Sequence, residues 1–265
     1  MVSLRVRLIR EHNRMYSHVL KWLWKFQGRD AARAYMFHSV VDTQNQVYSK
    51  FAITRESFER FIRYELSRGQ QPMDAETLKN AVDNPIAYKN HFVVTFDDIY
   101  DSVYLNAYPV LKANNVPFVL FVSPSVIDKE DMISHNLMIK MEHLREMACD
   151  PLCVIAAHGL KHAAYRMLTD ELVSASMEGA KIWLENTFGK PVEFFAFPFG
   201  RRVEVSKDNI TSLSRCGYYC GFSALDGTLK QKWFSGRWFL PRILVDDEYV
   251  KRSLEDAKLI VRDEW

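Results

Sequence analysis

Residues 92–123 read FVVTFDDIYDSVYLNAYPVLKANNVPFVLFVS, and this stretch decides the fold class. An apolar run, Phe92 to Asp97, leads into a second aspartate. A helix-spaced segment, Asp101 to Asn114, follows, and a second apolar run, Pro117 to Ser123, comes next. Apolar runs without polar alternation suit strands covered on both faces, and two of them joined through a helix make a parallel unit. The same alternation continues outward in both directions. Strands are expected at Ala34 to Val40, Cys153 to Ala157, Glu193 to Pro198, Tyr218 to Ser223 and Trp238 to Val245. Helices are expected at Thr54 to Leu66, within Asp131 to Met147, and at Thr169 to Phe188, Lys207 to Arg215 and Asp247 to Arg262, with Thr54, Asp101 and Thr169 as N-caps. About seven such units without an internal linker predict an α/β fold, a distorted (β/α) barrel of parallel strands forming one domain over residues 34–265.

The 265 residues are 48% hydrophobic and 26% charged, which excludes disordered and collagen-like classes. A formal net charge of +2 gives no reason to expect a nucleic-acid partner. The start, MVSLRVRLIREHNRMYSH, carries charge where a signal peptide is apolar, and no run of about 18 apolar residues follows. With only four cysteines, these features predict a cytoplasmic protein. Residues 1–33 stand apart, holding eight Lys and Arg against Glu11 and Asp30. Leu8, Met15, Val19, Trp22, Leu23 and Phe26 recur there at helical spacing, as in a basic amphipathic helix. Such a helix serves either peripheral contact with the inner membrane, Trp22 and Trp24 lying at the interface, or packing on the main domain or a partner subunit.

Chemically capable residues fall at strand ends. Asp97 and Asp98 close one strand, His158 follows another, Pro198 closes a third, and His38 lies near the end of the first. The carboxyl ends of parallel barrel strands meet at one face, where active sites form, so these residues are expected to converge. His158 and His162 are four apart, and a helical turn after the strand would put both imidazoles on one side. With Asp98 as a third donor, two histidines and one carboxylate leave an open position, the pattern of a catalytic metal rather than a structural one. That donor set accepts one divalent ion, zinc first, with cobalt, nickel, manganese or iron as alternatives. Asp97 beside an activated water would be a general base. Adjacent strand residues point opposite ways, so both aspartates reach the pocket only if the chain turns out of the strand between them. Taken singly, a histidine pair also occurs in half-buried helices and an Asp-Asp pair in turns; their joint placement is what singles them out.

Thr95-Phe96-Asp97-Asp98 resembles the TFDD motif of the polysaccharide deacetylases of carbohydrate esterase family four, and His158 to His162 resembles that family's HxxxH motif. Phe195-Ala196-Phe197-Pro198-Phe199-Gly200 is similar to the YPFG form of its third motif. The order of FHSVVD, ITRESFERFI, LKANNVPFVLFVS and LPRI around them agrees as well. The resemblance spans roughly residues 34 to 245. It implies a distorted barrel and metal-dependent removal of an acyl group from an amino sugar. It implies Asp98, His158 and His162 as metal ligands and Asp97 as base, with Pro198, Phe199 and Tyr100 on the substrate and oxyanion side. It also implies a proton donor for the leaving amine. Many members take it from a late Leu-x-His, but no histidine follows His162 here; others, which look circularly permuted, carry it on the first strand, where His38 stands. The other reading of His38 is a barrel-interior histidine hydrogen-bonded to a neighbour.

Three positions depart from the family pattern: Ile99 in place of glycine, Gly159 in place of serine or threonine, and Ala196 in place of arginine. Arg242, in Leu240-Pro241-Arg242-Ile243, is expected to orient Asp97 instead, unless it forms an ordinary structural ion pair. The expected substrate is an amino sugar in a nucleotide-linked, lipid-linked or oligosaccharide precursor of a surface polysaccharide such as O-antigen or capsule. The alternatives are a catalytically degenerate relative with a carbohydrate-binding or scaffold role, and a deformylase or amidase on another amide. Tyr100, Tyr104, Phe199, Trp233 and Trp238 could stack on sugar rings or belong to the core. Cys149 with Cys153 and Cys216 with Cys220 are spaced too widely for zinc knuckles. His135 and His143 are expected at the surface of a long connection that could act as a lid.

Overall fold

The computed structural model describes residues 31–43, 51–129, 137–230 and 236–262. The amphipathic stretch from Leu8 to Phe26, His135 and Trp233 lie outside the described residues. The strands are β1 Arg33–Phe37, β2 Ser39–Val41, β3 Ala52–Thr54, β4 Gln71–Pro72, β5 His91–Phe96, β6 Phe118–Val122, β7 Cys153–Ala157, β8 Phe194–Ala196, β9 Cys220–Phe222 and β10 Ile243–Leu244. The α-helices are α1 Arg55–Ser67, α2 Ala75–Asp83, α3 Tyr108–Ala113, α4 Met141–Cys149, α5 Asp170–Phe188, α6 Lys207–Arg215 and α7 Asp247–Arg262. The main sheet runs β10-β1-β5-β6-β7-β8-β9 with every pairing parallel, and β4 adds to β5; β2 and β3 form a separate parallel pair. The curled sheet with helices around it is the distorted barrel expected from the apolar runs. No helix among the described residues is long and apolar enough to cross a membrane.

Strand alternation separates two apolar sets. Ala34, Val93, Val119, Phe121, Ala156, Phe194, Ala196, Phe222 and Leu240 form one cluster, which fills the inside of the curl. Tyr35, Phe37, Val94, Phe96, Phe118, Leu120, Ile155 and Phe195 join the helices in the other. Continuing the inner set two residues at a time past the strand ends leads to His38, Asp97, His158, Pro198 and Arg242. The residues singled out by chemistry therefore leave their strands on the inward face.

The last expected strand, Trp238 to Val245, is broken. Gly236–Trp238 is a 3-10 turn, Leu240 pairs with Phe222 of β9, and only Ile243 and Leu244 pair with β1. Pro241 explains the break, since it has no amide to continue a ladder. One chain segment thus touches both edges of the curl and closes it, with Arg242 at the crossing. The first strand also ends earlier than expected, at Phe37 rather than Val40, because Ser39–Val41 leave to pair with β3.

Among the helices, α6 and α7 have the expected bounds, and Thr54 and Thr169 cap α1 and α5 by accepting from the Ser57 and Leu172 amides. Thr54 also donates to Asp247 at 2.7 Å, tying the start of α1 to that of α7. Asp101 is a correction: it caps no helix. The segment after it opens as a π-helical turn, Val103–Ala107, and the Asp101 carboxylate instead accepts from the His143 Nδ1 at 2.6 Å. Helix α2 was not expected. Its signals are Asp74, which accepts from the Thr77 amide at 2.8 Å, and the spacing of Leu78, Ala81 and Val82, which join the inner cluster.

Candidate active site

Asp98 leaves β5 with φ of 54°, in the left-handed region. This turn resolves the geometric conflict between adjacent aspartates: Asp97 keeps the strand's inward direction while Asp98 swings round beside it. The Asp98 Oδ1 lies 3.0 Å from the His162 Nε2 and 3.5 Å from the His158 Nε2. One donor atom from each of the three residues falls within 4.8 Å of the others. His158 is buried and its Nδ1 donates to the Ala196 carbonyl at 2.8 Å. A carbonyl only accepts, so that bond places the proton on Nδ1 and leaves the neutral ring's Nε2 lone pair facing a carboxylate. Two acceptors held face to face need a proton or a cation between them. The chemistry of the donors therefore fits a divalent metal ion, and the Ala196 carbonyl supplies the outer hydrogen bond common to metal-ligating histidines.

Electrostatics points the same way. Burial raises the Asp98 carboxyl, but hydrogen bonds and charge from His158 and His162 outweigh it and hold the group well below the usual carboxylate range. Burial lowers His158, yet Asp97 and Asp98 outweigh that effect and raise it. Without a metal the imidazole is thus drawn toward taking a proton, the substitute for a cation.

Asp97 is buried and meets Arg242 in a two-pronged pair, with bonds of 2.7 Å to Oδ1 and 2.6 Å to Oδ2. Arg242 is itself 1% exposed, and its remaining donors reach the Thr95 hydroxyl at 3.2 Å and the Ser223 carbonyl at 2.9 Å. Its guanidinium lies over the adjacent rings of Phe121 and Phe222, whose centroids are 5.6 Å apart. Thr95 in turn donates to the Tyr35 carbonyl at 2.8 Å. Burial raises Asp97, while Arg242 and then His158 pull it down to a net value below the ordinary one. The carboxylate is therefore ionised and fixed in direction. Thr95 and Ser223 were missed in the sequence; Thr95 was detectable as an inward-facing polar residue in an apolar strand.

A model of the polysaccharide deacetylase family matches residues 86–221, just over half the chain. The chain belongs to the polysaccharide deacetylase family. This family member is 27% identical over 164 residues to a poly-β-1,6-N-acetyl-D-glucosamine N-deacetylase of Staphylococcus aureus, an alignment covering 58% of this chain and 54% of the relative. It thus spans about half the length of that curated relative. Its fold is similar to that of IcaB from Ammonifex degensii, with a TM-score of 0.70 and 23% identity over 84% of this chain and 95% of the other. The deacetylase PplD of Streptococcus pyogenes, solved with acetate, has a TM-score of 0.69 at 18% identity, over 84% and 97%.

Other residues singled out in the sequence take defined places. Phe199 has φ of 61°, rare for a bulky side chain, and is 48% exposed, with its ring 4.6 Å from that of His162. Pro198 is buried, and Tyr100 is half-buried with its backbone bridged to Met138. His38 is half-buried against the ring of Phe51, and its Nδ1 is buried with no hydrogen-bond partner among the described residues. Tyr104 stacks on His143 at 3.9 Å, outside the donor cluster, and Trp238 packs against the core. All four cysteines are free.

Gly159, where the family pattern has a hydroxyl residue, has φ of +76°, and a Cβ there would lie 2.6 Å from the Tyr165 hydroxyl. That hydroxyl occupies the space and bonds to Ser176 Oγ at 3.2 Å, while the Ser176 hydroxyl accepts from the Leu160 amide. The turn between the two histidines is thus braced from α5. A Gly159→Ala substitution is expected to cost about 1–3 kcal/mol through backbone strain and this clash. Urea denaturation reads it as a lower midpoint at unchanged slope.

Proposed function

We propose that the chain is a metal-dependent hydrolase removing an N-acetyl group from an amino sugar in a surface-polysaccharide precursor. The observation that carries this reading is the convergence of Asp98, His158 and His162 beside the ionised, Arg242-held carboxylate of Asp97. Asp98, His158 and His162 would hold a divalent ion, zinc first among those that accept this donor set, which would supply Lewis acidity toward water and the amide oxygen. Asp97 takes the proton from the attacking water, and its bonds to Arg242 keep it from turning away. The backbone N–H near Phe199 donates to the developing oxyanion, in a turn set by the positive φ of Phe199 and Gly200. The exposed ring of Phe199 offers an apolar surface to a sugar. When the carbon–nitrogen bond breaks, His38 donates a proton to the leaving nitrogen. Burial lowers the His38 pKa, with Asp97 and Asp98 opposing, so the neutral ring is favoured at rest and His38 takes up within the site the proton that it donates.

The name of the Staphylococcus aureus relative supports an N-acetylglucosamine substrate. Nucleotide-linked, lipid-linked and oligosaccharide forms share that group. We place the enzyme in the cytoplasm, with the basic residues 1–33 drawing it to the inner membrane face, where a lipid-linked precursor would be met.

Metal content by mass spectrometry and acetate release test this reading together. Wild-type protein purified without chelator is expected to hold about one metal per chain and His162→Ala almost none, since two donors remain of three. Acetate release is expected from β-1,6-linked N-acetylglucosamine oligomers or from a nucleotide- or lipid-linked N-acetyl sugar. Wild-type protein that takes up no zinc, cobalt or nickel would leave only a binding or scaffold role. Metal binding with release of formate alone would move the activity to another amide.

A further inference from the structure

Because β1 ends at Phe37 and β2 begins at Ser39, His38 sits on a one-residue joint between the main sheet and the small one. On one side the joint is fixed by the Asp97 amide, which donates to the Phe37 carbonyl at 3.0 Å. On the other side lies Val40, on the edge of a sheet that has two strands among the described residues. Two side chains stand where a further strand would pair. The Val40 amide donates to Ser102 Oγ at 3.3 Å, and Asn106 Nδ2 donates to the Val40 carbonyl at 2.8 Å. Ser102 precedes and Asn106 lies within the π-helical turn Val103–Ala107, in which the Tyr108 amide reaches the Val103 carbonyl. Such wide turns occur often at functional sites. Asn106 is buried beside the apolar Val103 and Ala107, and a buried carboxamide is costly without a partner. Val40 is the partner that explains it.

We infer that Ser102 and Asn106 are positioning residues that grip the Val40 peptide and thereby aim His38 at Asp97 and Asp98. The inference rests on the proposed role of His38 as proton donor. Both sides of the His38 joint are held by one stretch of chain, Asp97 to Asn106, which also carries Asp98. Base, ligand candidate and proton donor are thus referenced to the same segment.

The test uses metal-loaded full-length protein and N-acetylglucosamine oligomers, with kcat, KM and bound metal measured for each variant. Asn106→Ala is expected to lower kcat about tenfold or more, and Ser102→Ala a few-fold, with KM and metal content within about twofold of wild type. The double variant His38→Ala/Asn106→Ala is expected to be no slower than His38→Ala alone, because both remove the same proton transfer. Independently of turnover, the His38 ring resonances are expected to move in Asn106→Ala while those of His158 and His162 stay. Additive losses in the double variant, a loss carried by KM or metal content, or unmoved His38 resonances overturn the inference. If Asn106→Ala fails to fold, Ser102→Ala and its coupling to His38→Ala decide in the same way. A fully active His38→Ala overturns the proton-donor reading itself, whereas a slow His38→Ala beside a normal Asn106→Ala overturns the positioning alone.

Discussion

Asp97→Asn protein is expected to lose about 10²–10⁴-fold in kcat, the contribution typical of a positioned general base. Asn keeps the shape of Asp but cannot take a proton from water, and its amide group meets the Arg242 guanidinium donor to donor. Metal content is expected to stay near one per chain, because Asp97 belongs to the second half of the site and Asp98, His158 and His162 form the donor cluster. Steady-state kinetics with metal analysis on the same preparation separates the two roles. A variant that retains near-normal kcat would remove Asp97 as the base. Loss of metal together with activity would instead make it a ligand.

Arg242→Leu is expected to cost about 3–5 kcal/mol of stability, the range for breaking a buried ion pair by removing one partner. The magnitude follows from burial: Arg242 is 1% and Asp97 4% exposed, so no water replaces the lost guanidinium. The Thr95 hydroxyl and the Ser223 carbonyl lose a partner in the same step. The pH dependence carries a distinct signature. In wild type the Asp97 pKa is lowered, so its contribution is full above the unfolded value of about 3.9 and is lost as pH falls through the lower folded value. In the variant, burial is opposed only by His158 and His38, and the carboxyl pKa rises. The native state then binds the proton more tightly than the unfolded one, and stability contributed by Asp97 declines as pH rises above about 4. The stability gap between variant and wild type is thus expected to widen from pH 4 to pH 7 in urea titrations. A gap independent of pH would show that Arg242 acts through packing on Phe121 and Phe222 rather than through Asp97.

The parallel sheet was legible in the chain because buried parallel strands leave unbroken apolar runs such as FVLFV at β6, and strong caps such as Thr54 and Thr169 mark the starts of the helices behind them. Short elements were less legible. Two-residue pairings such as β4 carry too few side chains to show a period, and α2 was overlooked although Asp74 announces it. The convergence of His38, Asp97 and His158 was expected from their places at strand ends, and their inward direction follows from the two-residue strand repeat once the inner cluster is known.

Contacts between distant segments were decided only in three dimensions. No spacing rule links Arg242 to Asp97, 145 positions away; the pairing was expected only from the family arginine missing at Ala196, and its geometry depends on Pro241 interrupting the last strand where the curl closes. The sequence stated the condition for Asp98 to lie beside Asp97, a turn out of the strand, and the structure supplies it as a left-handed backbone at Asp98. The grip of Ser102 and Asn106 on Val40 is likewise a product of sheet edges and a widened helical turn. Local order along the chain determined which residues could do chemistry and on which face they emerge. Tertiary structure decided which of them touch, because contact depends on how far each strand runs before the backbone turns.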